Sequence, residues 1–364
     1  MLYCYIVFKD TLMVSLKDKP NITLIARRCG LSKMTVSRVL RNFPNVSPPT
    51  RDLILKTAQK MGFKPSRHAH EKQATVTTHY YILFQQENSI QDAYFREIIL
   101  SVQNQLFERG FGCSLGIIHK EYSEFLKLSQ ILRQREIRGV LIVGDIPRIY
   151  AETLQMNFSN LVFIDYPGDS TLRKPYNSAA ICMDNVYGGY LAMNHLLDLG
   201  RRRILLVGGR KDHYFTTALL QAYQGALRER QIEIDPHRIV HGDFHVESGF
   251  DAVSKAIKSG IEFDAIFTND EMACGALKAL HQAKLRVPRD VAVVGFDGLP
   301  IGQMVSPSLT TIMVDREKMG RLAVERLMEI EQGKFTEDTC EKISLFPRLI
   351  IRESCGEVPQ DTGR

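Results

Sequence analysis

The sequence predicts two folds in series, a small all-α unit near the N-terminus and a larger α/β unit after it. Three observations lead there. Residues 21–65 hold three short stretches with apolar residues at helical spacing, separated by a glycine and then by a proline pair. From Tyr80 onward, short apolar runs alternate with amphipathic segments, the pattern of parallel sheets covered on both faces. Charge is also divided. Residues 1–72 carry 14 Lys/Arg against 4 Asp/Glu and the remainder 33 against 37, although the 364-residue chain nets only +6. Basic residues gathered on one small unit are an electrostatic footprint for phosphates.

In chain order, Asn21 is placed to cap a first helix whose apolar positions are Ile22, Leu24, Ile25 and Cys29. Gly30 stops it, where the chain needs a positive φ. Ser32 caps a second helix that projects Lys33, Met34 and Arg38 and turns Val36, Val39 and Leu40 inward. Helix, tight turn and polar-tipped second helix form the helix-turn-helix pattern, whose second helix enters the DNA major groove. Ser47 with Pro48 and Pro49 starts a third helix, because proline is tolerated in a first turn. Leu53, Ile54, Ala58 and Met61 are expected to close the bundle.

Strands are expected at Tyr81–Phe84, Cys113–Ile118, Val140–Val143, Leu161–Ile164, Ile204–Val207, Arg238–Val240, Ala265–Thr268 and Val291–Gly295. Between them, Ala93–Arg109, Tyr187–Leu199 and Thr217–Arg230 have helical periodicity. Ligands of such folds bind beyond the carboxyl ends of the strands. The Gly208-Gly209 turn is not followed by a GxGxxG or Walker pattern, so no cofactor is expected.

Seven scattered cysteines without CxxC or Cys/His spacing argue against a disulfide frame or structural zinc and fit a reducing, cytoplasmic setting. His237, His241 and His245 have i, i+4, i+8 spacing, but strand and turn signals between them disfavour a metal site. No apolar run is long enough to span a bilayer. Residues 1–12 lack the basic start of a secretory signal, and residues 1–20 are read as an extension with translation starting at Met13. Mass spectrometry of the native N-terminus tests that start.

The stretches ARRCGLS (26–32), TVSRVL (35–40), Val46-Ser47 with Thr50-Arg51, and GFKP (62–65) resemble the LacI/GalR family of bacterial repressors. So do Asp184-Asn185, FDAIFTNDEMACGALKAL (263–280), SPSLTTI (306–312) and 348–354, so that the resemblance covers about residues 21–355. It implies an all-α helix-turn-helix DNA-binding domain at 21–65, a hinge at 66–79 and an α/β two-lobed, periplasmic-binding-protein-like domain. Lobe 1 is then expected at 80–199 with 290–317, and lobe 2 at 200–289 with 318–355, joined by three crossovers; 356–364 is a polar tail without the leucine heptads of a tetramerisation helix. The implied function is a transcriptional regulator, a repressor that binds a palindromic operator as a homodimer and is controlled by a small-molecule effector between the lobes. An activator, or a regulator with altered effector response, is the alternative within the class. An enzyme on the same scaffold is disfavoured by the lack of a nucleophile–base constellation, and an exported sugar-binding protein by the DNA-binding module.

The DNA-contacting residues implied are Lys33, Met34, Thr35, Ser37, Arg38, Arg41, Asn45, Thr50 and Arg51, with Arg67 and Lys72 in the hinge. The resemblance places Tyr94, Phe95, Phe244 and Asp270 around a sugar-like or nucleobase-like effector, which aromatic plates and a few polar groups suit. Two departures stand out. Leu219 occupies the position where the family has an effector-clamping arginine, so Arg210, Lys211 or His213 are candidates to compensate. Lys72 replaces the hinge leucine that wedges into the minor groove, and lysine brings charge without a wedge.

Overall fold

Three helices account for the small unit. The computed structural model describes residues 21–40, 47–61, 63, 79–85, 92–133, 137–166, 178–335 and 340–356, in two units that divide at Thr77–Thr78. In the first, α1 spans Ile22–Cys29, α2 Lys33–Leu40 and α3 Pro48–Lys60. Asn21 caps α1 by accepting from the Leu24 N–H at 3.0 Å. Gly30 ends it at φ 64°, its N–H donating back to the carbonyls of Ala26 and Arg27. The Ser32 hydroxyl accepts from the Thr35 N–H at 3.1 Å and so caps α2.

Ile25, Ala26, Val36, Val39, Ile54 and Ala58 form the core of this unit, all but sealed from solvent. Full burial of one such isoleucine contributes about 1.5–3 kcal/mol. Leu53 does not join them: it is half exposed, because Ile54 and Ala58 define the inner stripe of α3 and Leu53 lies beside that stripe.

The second unit is built on two six-stranded sheets. The first has strands β1 (His79–Gln85), β2 (Gly112–Ile118), β3 (Ile137–Val143), β4 (Leu161–Ile164), β5 (Ser178–Met183) and β11 (Cys340–Leu345), in the order β11-β5-β4-β3-β1-β2. The second has β6 (Ile204–Gly208), β7 (Ile239–His241), β8 (Ala265–Phe267), β9 (Ala292–Asp297), β10 (Thr310–Met313) and β12 (Arg348–Ile350), in the order β12-β10-β9-β8-β6-β7. All pairings are parallel except β10 with β12. Their inner strands are buried over most of their length, as sheets covered on both faces require. The helices between them are α4 (Ala93–Glu108), α5 (Tyr122–Arg133), α6 (Arg148–Asn157), α7 (Asn185–Asp198), α8 (Tyr214–Glu229), α9 (Val246–Lys258), α10 (Asp270–Gln282), the short α11 (Ile301–Met304) and α12 (Arg316–Glu331).

The sheets correct the expected lobe boundaries. The chain leaves the first lobe after Met183, not at Leu199-Gly200, because α7 packs against β9, β10, β12 and α8. Two glycines permit that approach: a Cβ at Gly188 would sit 2.7 Å from the Phe296 ring, and one at Gly189 2.5 Å from the Ala222 methyl. Residues 292–313 therefore belong to the second lobe. The chain returns after β10, since α12 packs on α4, β3, β4 and β5, with the Ser101 hydroxyl donating to the Glu317 carbonyl at 2.9 Å. It crosses a third time between β11 and β12. The three crossings, at Asp184, Val314–Asp315 and Phe346–Pro347, are short, and the Asp184 N–H donates to the Leu345 carbonyl at 2.8 Å.

Candidate functional site

In the first unit, α2 presents Lys33 and Met34 to solvent, Met34 at 65% exposure. A methionine so exposed gains nothing for the core and is free to meet a partner. Ser37 is half-buried and Arg38 lies one turn beyond Met34 on the same helix. Thr35 is committed to the cap, its hydroxyl 2.8 Å from that of Ser32. Thr50 stands likewise 2.8 Å from the Ser47 hydroxyl at the start of α3, followed by Arg51. Arg41, Asn45, Arg67 and Lys72 lie outside the described residues.

In the second unit a cleft opens between the lobes, at the carboxyl ends of β4, β6, β7, β8 and β9 and the start of α4. Asp92 caps α4, accepting from the Tyr94 N–H at 2.8 Å, and so fixes Tyr94 at the mouth of the first lobe. Phe95 is mostly core and touches the cleft with one edge, packed edge-to-face on Tyr94 at 5.1 Å. Asp165, directly after β4, accepts from the Tyr214 hydroxyl at 2.5 Å and from that of Tyr94. Burial, together with the charges of Asp145 and Asp92, raises this carboxyl to about 7 against the two hydroxyl donors.

Phe244 forms the opposite wall. Its backbone sits at φ 82°, a strained conformation for an aromatic residue. The Asn269 side-chain amide donates to its carbonyl at 3.1 Å and holds it there. Gly209 is required beneath it, because a Cβ at that position would come within 2.0 Å of the Phe244 ring; that is the work of the Gly208-Gly209 turn. His213 packs edge-to-face on Phe244 at 4.9 Å and caps α8, its Nδ1 accepting from the Phe215 N–H at 3.3 Å. Burial and then the neighbouring Arg210 lower this histidine to about 4, so it is neutral at pH 7. Arg210 reaches over Phe244, 5.7 Å from the ring centroid. Lys211 is exposed and does not line the cleft.

Asp270 is not a cleft residue. It is completely buried, and its carboxylate accepts from the Thr311 hydroxyl and the Leu299 N–H, both at 2.6 Å. The residue that caps α10 is Asn269, through the Met272 N–H at 3.3 Å. Asp297, at the end of β9 with φ 108°, takes the place expected of Asp270. Burial first, and then Asp270, Asp92 and Asp165, push its carboxyl well up, opposed by Arg316. Leu219 is core and brings no donor to the cleft.

Asp165, Asp297, Tyr214 and Arg316 were not anticipated. Arg316, at the start of α12, donates to Glu97 of the first lobe at 2.6 Å and to the main-chain carbonyls of Asp297 and Gly298 in the second, tying the lobes behind Tyr94. A signal for the two aspartates is present in the sequence. Each ends or directly follows an apolar strand run, where folds of this kind bind ligands. His237, His241 and His245 do not converge: His241 meets the Gly209 carbonyl at 3.1 Å and His245 meets Glu271 at 3.3 Å.

A helix-turn-helix unit in one chain with a two-lobed ligand-binding fold defines a DNA-binding regulator. Comparison with known proteins agrees. A model of bacterial regulatory proteins of the lacI family matches residues 21–66, and a periplasmic binding protein-like domain matches 193–355. The HTH-type transcriptional repressor PurR of Proteus mirabilis is 27% identical over 351 residues, 95% of this chain and 98% of its own. The HTH-type transcriptional regulator CelR of Thermobifida fusca is 28% identical over 348 residues, 93% and 99% of the two chains. Among solved structures, a CelR–cellobiose complex matches with a TM-score of 0.68 at 27% identity, covering 92% of this chain and 99% of that one. A lac repressor dimer bound to operator and the anti-inducer ONPF shares the fold, with a TM-score of 0.72 at 24% identity over 93% and 99%. The chain thus joins a DNA-binding domain of the lacI family of bacterial regulatory proteins to a periplasmic binding protein-like domain, as its relatives among the transcriptional regulators do. It is a regulator and not an enzyme. Among the described residues no helix is long and apolar enough to cross a membrane.

Proposed function

We propose that the protein is a repressor that binds a palindromic operator as a homodimer and is controlled by a small molecule held between its lobes. The observation that carries this reading is the cleft, where five strand ends and α4 bring aromatic walls and polar groups of both lobes together. In the related CelR, a solved complex holds cellobiose, which supports a sugar-like effector; the flat rings of Phe244 and Tyr94 suit a nucleobase equally. The protein acts in the cytoplasm, on DNA of the nucleoid.

Lys33, Met34, Ser37 and Arg38 of α2 read base edges in the major groove, and Thr35, Thr50 and Arg51 meet the flanking backbone. Arg41, Asn45, Arg67 and Lys72 extend these contacts. The three short crossings are the pivot on which the two lobes turn. A ligand that touches both lobes favours one mutual orientation, and only its difference in affinity between the two orientations drives the response.

Gel shifts with the promoter regions beside the gene, with and without candidate sugars and nucleobases, test the reading. Arg38→Ala is expected to cost about 1–3 kcal/mol at the specific site if Arg38 reads a base. Lys72→Ala is expected to lower the salt slope by about one unit per site. Failure to shift any promoter, with turnover of a sugar by the purified protein, would return the scaffold to the enzymes.

A further inference from the structure

We infer that the cleft is built for a small organic cation, a ligand that presents a protonated amine to carboxylates of both lobes while its body lies against the aromatic walls. This rests on the effector reading above and adds the charge of the effector. Five carboxyl side chains line the cleft, Asp92, Asp165, Asp243, Glu271 and Asp297, against the single guanidinium of Arg210. The histidine most enclosed among them, His213, is neutral.

Charge alone does not make a site, and two further features point to a cation. The Phe244 face already carries the Arg210 guanidinium at 5.7 Å, and Tyr94 and Tyr214 complete a set of rings of the kind that holds ammonium groups. Among the described residues no hydrogen bond reaches the Asp297 carboxyl, which lines the cleft and is half-buried there. The nearby Arg316 is spent on Glu97 and on the carbonyls of Asp297 and Gly298. Asp165 lines the same cleft from the other lobe, and its charge raises the proton affinity of Asp297, after burial, Asp270 and Asp92. A positive ligand relieves that repulsion, and a neutral one does not. Both aspartates stand at positive φ, a conformation kept at a cost to the fold and explained by what the carboxyls must face.

The test uses the full-length protein and two matched pairs of probes that exchange ammonium for hydroxyl. They are glucosamine against glucose, and 2-phenylethylamine against 2-phenylethanol, with cellobiose as a neutral disaccharide. Titration calorimetry is expected to find, in at least one pair, the amine bound about tenfold or more tighter than its alcohol. Asp297→Asn removes that margin, yet melts no lower than the wild type without ligand. An alcohol or cellobiose that binds as tightly as the amines overturns the inference and leaves a neutral effector in the cleft. Two pairs in which neither amine binds overturn it too, as does a loss of ligand-free stability in Asp297→Asn. The effector reading fails separately, when a bound ligand of either charge keeps wild-type affinity in Phe244→Ala.

Discussion

The two lobes repeat one strand order yet contribute to the cleft in different ways. In both sheets the fourth strand of the lobe delivers an aspartate at positive φ, Asp165 after β4 and Asp297 at the end of β9. In both, the helix that follows the first strand of the sheet starts at a side-chain cap that lines the cleft, Asp92 on α4 and His213 on α8. The difference lies in support. Asp165 is held by two tyrosine hydroxyls, one from each lobe, whereas Asp297 has its main chain pinned by Arg316 and its carboxyl without a donor among the described residues. The second lobe also carries the strained Phe244 and the glycine beneath it. The lesson is that repeating a fold repeats where functional groups emerge, while the packing behind each strand end decides what each group is for.

The largest expected effect separates a carboxylate of the fold from one of the cleft. Asp270→Ala strands the Thr311 hydroxyl and the Leu299 N–H inside the second lobe, which costs about 3 kcal/mol of stability of the larger unit. Chemical denaturation should find that loss; an Asp270→Ala variant of wild-type stability with weakened ligand binding would move Asp270 back into the cleft.

The next sharpens the comparison by pH. Burial raises the folded-state carboxyl of Asp165 from 3.8 to about 7, so the fold favours its protonated form. Its contribution to stability is whole below pH 3.8 and is lost as pH rises through about 7; Asp270, also raised to about 7 by burial, acts with the same sign. Melting curves of the ligand-free protein between pH 5 and 8, about two units below neutrality to one above, are expected to record a decline on the order of 2–3 kcal/mol for each of these two carboxyls. Asp165→Asn should flatten part of it.

Gly209→Ala breaks the second lobe's wall alone. The added methyl displaces the Phe244 ring, and ligand affinity is expected to fall about tenfold, or about 1.4 kcal/mol, with little change in melting. Unaltered affinity would show that the ring's position is not what the ligand reads. Smallest is Arg316→Lys, which keeps the charge and loses the fork that joins Glu97 to two carbonyls. About 1 kcal/mol of stability should go, and small-angle scattering should register a change in lobe separation if Arg316 sets the angle.

What could be read from the sequence follows the range of the interactions. In the small unit each cap spans two or three residues, as Asn21 to Leu24 and Ser32 to Thr35 do, so local spacing announced all three helices. The inner strands β1, β3, β4 and β6 announced themselves as apolar runs. β5, with the small residues of Ser178–Met183, and the edge strand β11, where burial alternates with exposure, carry a weaker signal. The role of Asp270 was not legible, because its partners stand 29 and 41 residues away. The same holds for Arg316, whose partner Glu97 is 219 residues distant. The lobe boundary misled for a related reason: Leu199-Gly200 is a well-formed helix end, but which sheet a helix covers is decided by glycines such as Gly188 and by the strands they meet.

The route of the chain also bears on how the protein is made. Each sheet takes one edge strand from residues 340–350, β11 beside β5 and β12 beside β10. During synthesis neither lobe can finish before those residues leave the ribosome, so the nascent larger unit carries two open strand edges for most of its translation. Such edges recruit other strands. A ribosome that stalls in this last stretch would release not a protein lacking its end but two unfinished sheets, and quality-control proteases would meet both at once.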